Sequence, residues 1–190
     1  MNIAVLAVQG AFIEHEHMLA SLGVPCLEIR EKRDLGAPFD GLILPGGEST
    51  AMGSLLRDLE LFEPLRERIA GGLPVLGTCA GLILLAREVQ GGETHFATLP
   101  AAVSRNAFGR QLGSSAAEGE LEGRGAYPMV FIRAPRITGV LEGGEVFARA
   151  GGEPVGVRCG RQFGVTFHPE LTGDPRVHQI FLESINNKQE

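Results

Sequence analysis

The 190-residue sequence contains no tryptophan and a single tyrosine. That argues against a broad aromatic platform on which single-stranded bases stack. It also has no long basic block, and its net charge is -6. Nucleic acid and anionic membrane surfaces are poor candidates for its main partner. No apolar run is long enough to span a bilayer, and the opening run at 3–8 has no cationic lead and is too short for a signal peptide. Cysteines are few: Cys26, Cys79 and Cys159, an odd number and widely spaced. They make a poor disulfide framework and suit a reducing cytoplasm. What is present is ordinary for a soluble globular chain, with 44% hydrophobic and 21% charged residues. The length fits one domain over 1–190 with a sizeable core.

The first half alternates short apolar runs with helical patterns. Strands are expected at 3–8, 26–29, 41–44 and 73–76, and helices at 12–22, 52–70 and 82–89, with Pro64 marking a break or a new helix start. Near-continuous apolar strands separated by helices indicate a mostly parallel α/β sheet covered on both faces. From about Gly91 the texture changes. Shorter, more alternating strands at 129–132, 145–148, 155–158 and 163–167 suggest an antiparallel extension, and 175–185 reads as a closing helix. The small, polar, Gly-rich segment 113–125 reads as a mobile surface loop.

Cys79 follows a buried strand and precedes a helix, with glycines two residues to each side in Gly77-Thr78-Cys79-Ala80-Gly81. This is the nucleophile-elbow pattern with cysteine in place of serine. A sharp turn there needs small neighbours, and a helix N-terminus favours thiolate. The N–H of Ala80 is then available to an oxyanion. A buried structural cysteine in an ordinary strand-to-helix turn is an equal competitor on this pattern alone. A P-loop is disfavoured, because no lysine follows.

A cysteine nucleophile needs a base. Of the five histidines, His168 is the best placed, in His168-Pro169-Glu170. Pro169 keeps the preceding residue extended, and residues two apart in extended backbone point the same way. Glu170 is therefore placed to orient the His168 ring, the third-member role of a triad. On its own the tripeptide reads equally as a polar strand end; beside a cysteine elbow it reads as base and orienter. His15 and His17 are expected on solvated helix surface, His95 in a loop without a visible partner, and His178 as structural or surface. No metal site is expected. The turn Leu44-Pro45-Gly46-Gly47-Glu48-Ser49-Thr50 joins a strand to a helix, with Ser49 or Thr50 as its expected cap. Its glycines allow backbone N–H groups to face a ligand, although a plain tight connection explains them too. In open α/β sheets ligands bind outside the carboxyl ends of the strands, where both this turn and Cys79 lie.

Together Pro45-Gly46-Gly47, the elbow and Phe167-His168-Pro169-Glu170 resemble the triad-type glutamine amidotransferases. Val8-Gln9-Gly10 with Glu14-His15, Gly46-Gly47-Glu48-Ser49-Thr50, Arg105-Asn106-Ala107-Phe108-Gly109-Arg110-Gln111 and Phe131-Ile132-Arg133-Ala134-Pro135 narrow the resemblance. They are similar to the glutaminase subunits of two-component pyridoxal 5′-phosphate synthases. The resemblance runs from about residue 3 to 183. It implies a flavodoxin-like three-layer α/β/α sandwich. It also implies that Cys79 forms a thioester with the glutamine side chain, with His168 and Glu170 completing the triad. Gly47, Glu48, Ser49, Arg105, Ile132 and Arg133 would border L-glutamine, and the N–H groups of Gly47 and Ala80 would form the oxyanion hole. It implies no cofactor and no metal, and ammonia passed to a synthase subunit that builds pyridoxal 5′-phosphate from a pentose and a triose phosphate. A glutaminase for another synthase is the nearest alternative, and a non-catalytic protein on the same fold is a more distant one.

Overall fold

The structure, a computed structural model, describes residues 1–105 and 114–186. The chain begins β1 (Ile3–Leu6), α1 (Phe12–Ser21), β2 (Cys26–Ile29), β3 (Gly41–Leu44), α2 (Ser49–Asp58), α3 (Phe62–Ala70), β4 (Val75–Thr78) and α4 (Ala80–Leu85). It continues β5 (Ala86–Gln90), β6 (Leu99–Ser104), β7 (Ser114–Leu121), β8 (Gly125–Ile132), β9 (Arg136–Val140), β10 (Glu145–Ala150), β11 (Glu153–Cys159), β12 (Gln162–Val165) and α5 (Arg176–Asn186). Pro64 sits in the first turn of α3, where its missing N–H has no helical acceptor to lose.

A nine-stranded sheet runs β2-β1-β3-β4-β12-β11-β10-β7-β8. From β2 to β12 neighbouring strands are parallel, and from β12 to β8 they are antiparallel. The expected parallel sheet with an antiparallel extension is thus the architecture found. Side chains alternate between its two faces, as the pleat requires. On β1, Ile3 and Val5 join α1 and α5 through Leu19, Val177 and Phe181. Ala4 and Leu6 join the opposite layer of α2, α3 and α4 through Met52, Leu65 and Leu84. A smaller sheet, β5-β6-β9, packs in that second layer through Leu99, Val103 and Ile137.

Two expectations need correction. The helix expected over 82–89 ends at Leu85, and Ala86–Gln90 forms β5 beside β6. Ala80–Leu85 is buried all round, so it carries no polar face by which periodicity marks a helix end. The segment expected as a loop at 113–125 is largely strand: β7 pairs with β8 from Ser114↔Ile132 to Leu121↔Gly125. Its small residues fit crowded neighbours, since a Cβ on Gly119 would lie 2.5 Å from Met129 Sδ.

The elbow glycines act by close approach. A Cβ on Gly81 would lie 2.0 Å from the Leu44 carbonyl oxygen, and one on Gly77 would lie 2.6 Å from the Gly81 carbonyl carbon. α4 therefore lies directly against the ends of β3 and β4. Gly81→Ala is expected to lower unfolding stability by about 2 kcal/mol, the usual cost of forcing an overpacked contact. A denaturant midpoint that falls at unchanged slope would show it, and a parent-like midpoint would refute the close-packing argument.

Candidate active site

Three neighbouring strands deliver the site. The Gly46–Gly47 turn follows β3, Cys79 follows β4, and His168 stands beyond β12. Backbone hydrogen bonds fix their ends: the Cys79 N–H donates to the Val165 carbonyl of β12 at 2.8 Å, and the His168 N–H to the Val130 carbonyl of β8 at 2.8 Å. Cys79 has φ 48° and ψ −102°, a conformation that costs a non-glycine residue about 1–3 kcal/mol and persists where packing over-determines it. It caps α4, so the Ala80 N–H begins the helix with no acceptor inside it. Among the described residues the Gly47 N–H has no hydrogen-bond acceptor.

Cys79, His168, Gly47, Glu48, Ser49, Arg105, Ile132 and Arg133 line one cavity of about 390 Å³. These are eight of the ten expected site residues. The other two lie behind it, Glu170 beyond His168 and Ala80 beneath Cys79, both buried. Gly10, Ala11 and Ile83 also line the cavity and are additions to the expected set. Gly10 has φ 98°, and a Cβ there would lie 2.0 Å from the Gly46 carbonyl oxygen, so the two turns interlock. Gln9 accepts from the Glu48 N–H at 2.9 Å. The run Val8-Gln9-Gly10 is visible in the sequence, but its contact across to 46–48 is not.

His168 Nδ1 lies 2.7 Å from Glu170 Oε1, whose side chain is wholly buried. Burial alone would lower the His168 pKa. Hydrogen bonds to Cys79 and Glu170, with the charges of both, outweigh it and push the ring up to about 10. Burial also opposes the charge on Glu170, yet the neighbouring histidines hold its carboxyl below the usual range. Cys79 Sγ lies 3.8 Å from the Ile132 carbonyl.

Glu48, not Ser49 or Thr50, caps α2: its carboxylate accepts from the Thr50 and Ala51 N–H groups at 3.0 and 2.8 Å. A glutamate reaches both donors because its backbone is extended there, and Ser49 is already helical. The cap, led by the Thr50 bond, lowers the Glu48 pKa. Arg105 donates to the same carboxylate at 2.8 Å and to Thr50 Oγ1 at 2.9 Å. Arg133, at φ 45°, makes no ion pair among the described residues. The rest of the 105–111 run, Asn106 to Gln111, lies outside the described residues.

One histidine departs from expectation. His15 is fully buried, not on a solvated surface, while His17 is exposed as expected. The sequence carries a signal for this: His15, Met18 and Leu19 share one helical face, and all three are buried. His15 Nδ1 lies 2.9 Å from His178 Nε2, and its Nε2 lies 3.2 Å from Thr78 Oγ1 and 3.4 Å from Glu170 Oε2. His178 is also fully buried. His95 lies in a loop, with its Nδ1 buried and unpartnered, and its ring packs over Gly53.

The family model for the SNO glutamine amidotransferases matches residues 5–187. The chain belongs to that family. It is 58% identical over 188 residues to the pyridoxal 5′-phosphate synthase subunit PdxT of Desulfitobacterium hafniense strain Y51, covering 98% of this chain and 94% of that protein. It is 54% identical to the protein of the same name from Methanocorpusculum labreanum, covering 97% and 98%. A crystal structure described as a glutamine amidotransferase superposes with a TM-score of 0.91 at 45% identity, covering 97% of this chain and 98% of that one. A glutamine amidotransferase from Thermotoga maritima shares the fold, with a TM-score of 0.63 at 16% identity, covering 100% of this chain and 86% of that one.

The buried histidines imply an acid limb of stability in this family member. Burial, the dominant cause, lowers His15 and takes His178 well below the ordinary 6.5. Such groups contribute stability above the unfolded value of 6.5 that is lost as pH falls through their lowered folded values. His168 has the opposite sign: its contribution is complete below 6.5 and is lost as pH rises through about 10. Glu170, also lowered, loses its contribution only below the ordinary 4.5. The melting temperature is therefore expected to fall from about pH 6.5 to about pH 5, and His178→Phe to flatten that slope. A parent profile flat over this interval would refute it.

Proposed function

We propose that this chain, read as one domain over 1–190, hydrolyses L-glutamine to L-glutamate and ammonia at Cys79, and passes the ammonia to a pyridoxal 5′-phosphate synthase subunit in the cytoplasm. The observation that carries the reading is the convergence of Cys79, His168 and Glu170 at the carboxyl edge of β4 and β12. Membership of a glutamine amidotransferase family, and near full-length relatives named as subunits of pyridoxal 5′-phosphate synthase, support the substrate and the partner. Among the described residues no helix is long and apolar enough to cross a membrane, and the three cysteines are free.

In this mechanism His168 takes the Cys79 proton, and Glu170 stabilises the imidazolium. The sulfur adds to the carboxamide carbon. Negative charge on the former carbonyl oxygen is met by the Gly47 and Ala80 N–H groups, which have no competing acceptor among the described residues. His168 returns the proton to the departing nitrogen, the C–N bond breaks, and ammonia leaves a thioester on Cys79. Water, deprotonated by His168, attacks the thioester carbon. The C–S bond breaks, glutamate leaves, and the thiol regains its proton. Arg133 is the cation assigned to the substrate α-carboxylate, because Arg105 already donates to Glu48 and Thr50. Glu48, Ser49 and Ile132 shape the rest of the glutamine pocket. Glu48 is engaged as helix cap and Arg105 anchor, so its part in holding the α-ammonium is secondary.

Two measurements test the reading. Cys79→Ala is expected to abolish ammonia release from glutamine in the presence of a synthase subunit, and turnover within a few-fold of the parent would refute it. Arg133→Ala is expected to raise KM for glutamine about tenfold, with kcat less affected, as loss of a charged hydrogen bond to bound substrate should. If Arg105→Ala raises KM far more than Arg133→Ala, the carboxylate assignment is wrong.

A further inference from the structure

Glu170 has two carboxylate oxygens and uses them differently. Oε1 faces His168 Nδ1 at 2.7 Å. Oε2 is buried with no hydrogen bond of ordinary geometry, and His15 Nε2, at 3.4 Å, is the cation-capable nitrogen that faces it. A carboxylate that merely rotated to find a better partner would abandon His168. The His168 bond and a backbone hydrogen bond at Glu170 restrain one side of it, and His15 stands at the other.

The tautomer of His15 follows from its surroundings. An ionised carboxylate only accepts hydrogen bonds. A bare Nε2 lone pair pointing at Glu170 would be repelled, so Nε2 carries the hydrogen and sits between Glu170 Oε2 and Thr78 Oγ1. His15 Nδ1 is then an acceptor, and the His178 Nε2–H, 2.9 Å away, donates to it. The charged and titratable groups around His15 are Glu14 on its own helix, Glu170 and His168 from the segment after β12, and His178 from α5. Both His15 and His178 are fully buried, which favours the neutral rings that this pattern needs. His178 thus donates to His15, the His15 Nε2–H faces Glu170 Oε2 at 3.4 Å as a close electrostatic contact, and His168 donates to the other carboxylate oxygen.

We propose that His15 is a positioning residue for the triad, its Nε2–H holding the Glu170 carboxylate turned toward His168, with His178 holding His15 in the one tautomer able to do so. The proposal rests on the triad reading of Cys79, His168 and Glu170. It also gives α1 and α5, on the far layer from α4, a direct hold on the reacting groups. Thr78, the residue before the nucleophile, shares the same His15 nitrogen, so one side chain braces both the carboxylate and the strand end that carries Cys79.

The test measures kcat and KM for glutamine against pH, with the synthase subunit present, for the parent, His15→Leu, His15→Gln and His178→Phe. Cys79→Ala serves as control, and melting is followed in parallel. His15→Leu is expected to lower kcat about tenfold or more, the scale of one hydrogen bond to a charged group, with KM little changed. The acidic limb of kcat/KM should move to higher pH, because a carboxylate without its donor takes up a proton more readily. His15→Gln, whose amide N–H can reach Oε2, should regain most of the rate and the parent limb. His178→Phe should shift the limb the same way by less. A merely structural histidine would give lowered melting with an unmoved limb, and Gln would serve no better than Leu; either result overturns the proposal. If His15→Leu does not fold, a parent-like limb in His178→Phe overturns it instead. An active Cys79→Ala control overturns the triad reading, and this proposal with it.

Discussion

Cys79 is held at φ 48°, ψ −102° by contacts that its own side chain does not make. Its N–H is fixed to Val165 on β12, and the helix that follows it is pressed against Leu44 and Gly77 through Gly81. These contacts stop the backbone from relaxing into an ordinary turn, and they set where everything else must be. The turn after β3 has to pass beside the end of α4. That brings the Gly47 N–H to the same edge as the Ala80 N–H. β12 has to lie next to β4, which carries His168 to the sulfur. A methyl group at Gly81 or Gly77 would lever α4 away and unpick all three relations.

Charge in this site is handled by enclosure. Glu170 is a wholly buried carboxylate, which would be costly alone. It is made tolerable by His168 on one oxygen and His15 close to the other. The same enclosure acts in opposite directions on different rings. His168, hydrogen-bonded to Cys79 and Glu170, is pushed up to about 10, whereas His15 and His178, deeper and facing each other, are pushed down by burial. A single buried column therefore holds one ring disposed to be cationic and two disposed to be neutral. That is the distribution the proposed base and its proposed supports would require.

The elbow, the His-Pro-Glu segment and the Gly-Gly turn are legible because each is a local pattern whose meaning lies within a few residues. Two glycines flanking a cysteine after an apolar strand predict a sharp turn, and the turn is there. What is not legible depends on pairing at long range. The strand β7 reads as a loop because small, polar residues have no strand signature of their own; β8 supplies the pairing. β5 reads as a helix continuation because the all-apolar Ala80–Leu85 has no face, and β6 ends it. Glu48 stands beside two stronger capping residues, and only its extended backbone shows that it does the capping.

By itself the sequence determined the chemistry available: a cysteine in a sharp turn, a histidine with a carboxylate two residues on, and glycines whose backbone can turn N–H groups toward a ligand. Those are properties of residue type and near-neighbour spacing, and they hold whatever the rest of the chain does. The tertiary structure alone decided which of five histidines act together. His15 and His178 are 163 positions apart and come within 2.9 Å because α1 and α5 share one face of the sheet. No local pattern encodes that meeting; it follows from the order of strands, which puts both helices over the same layer.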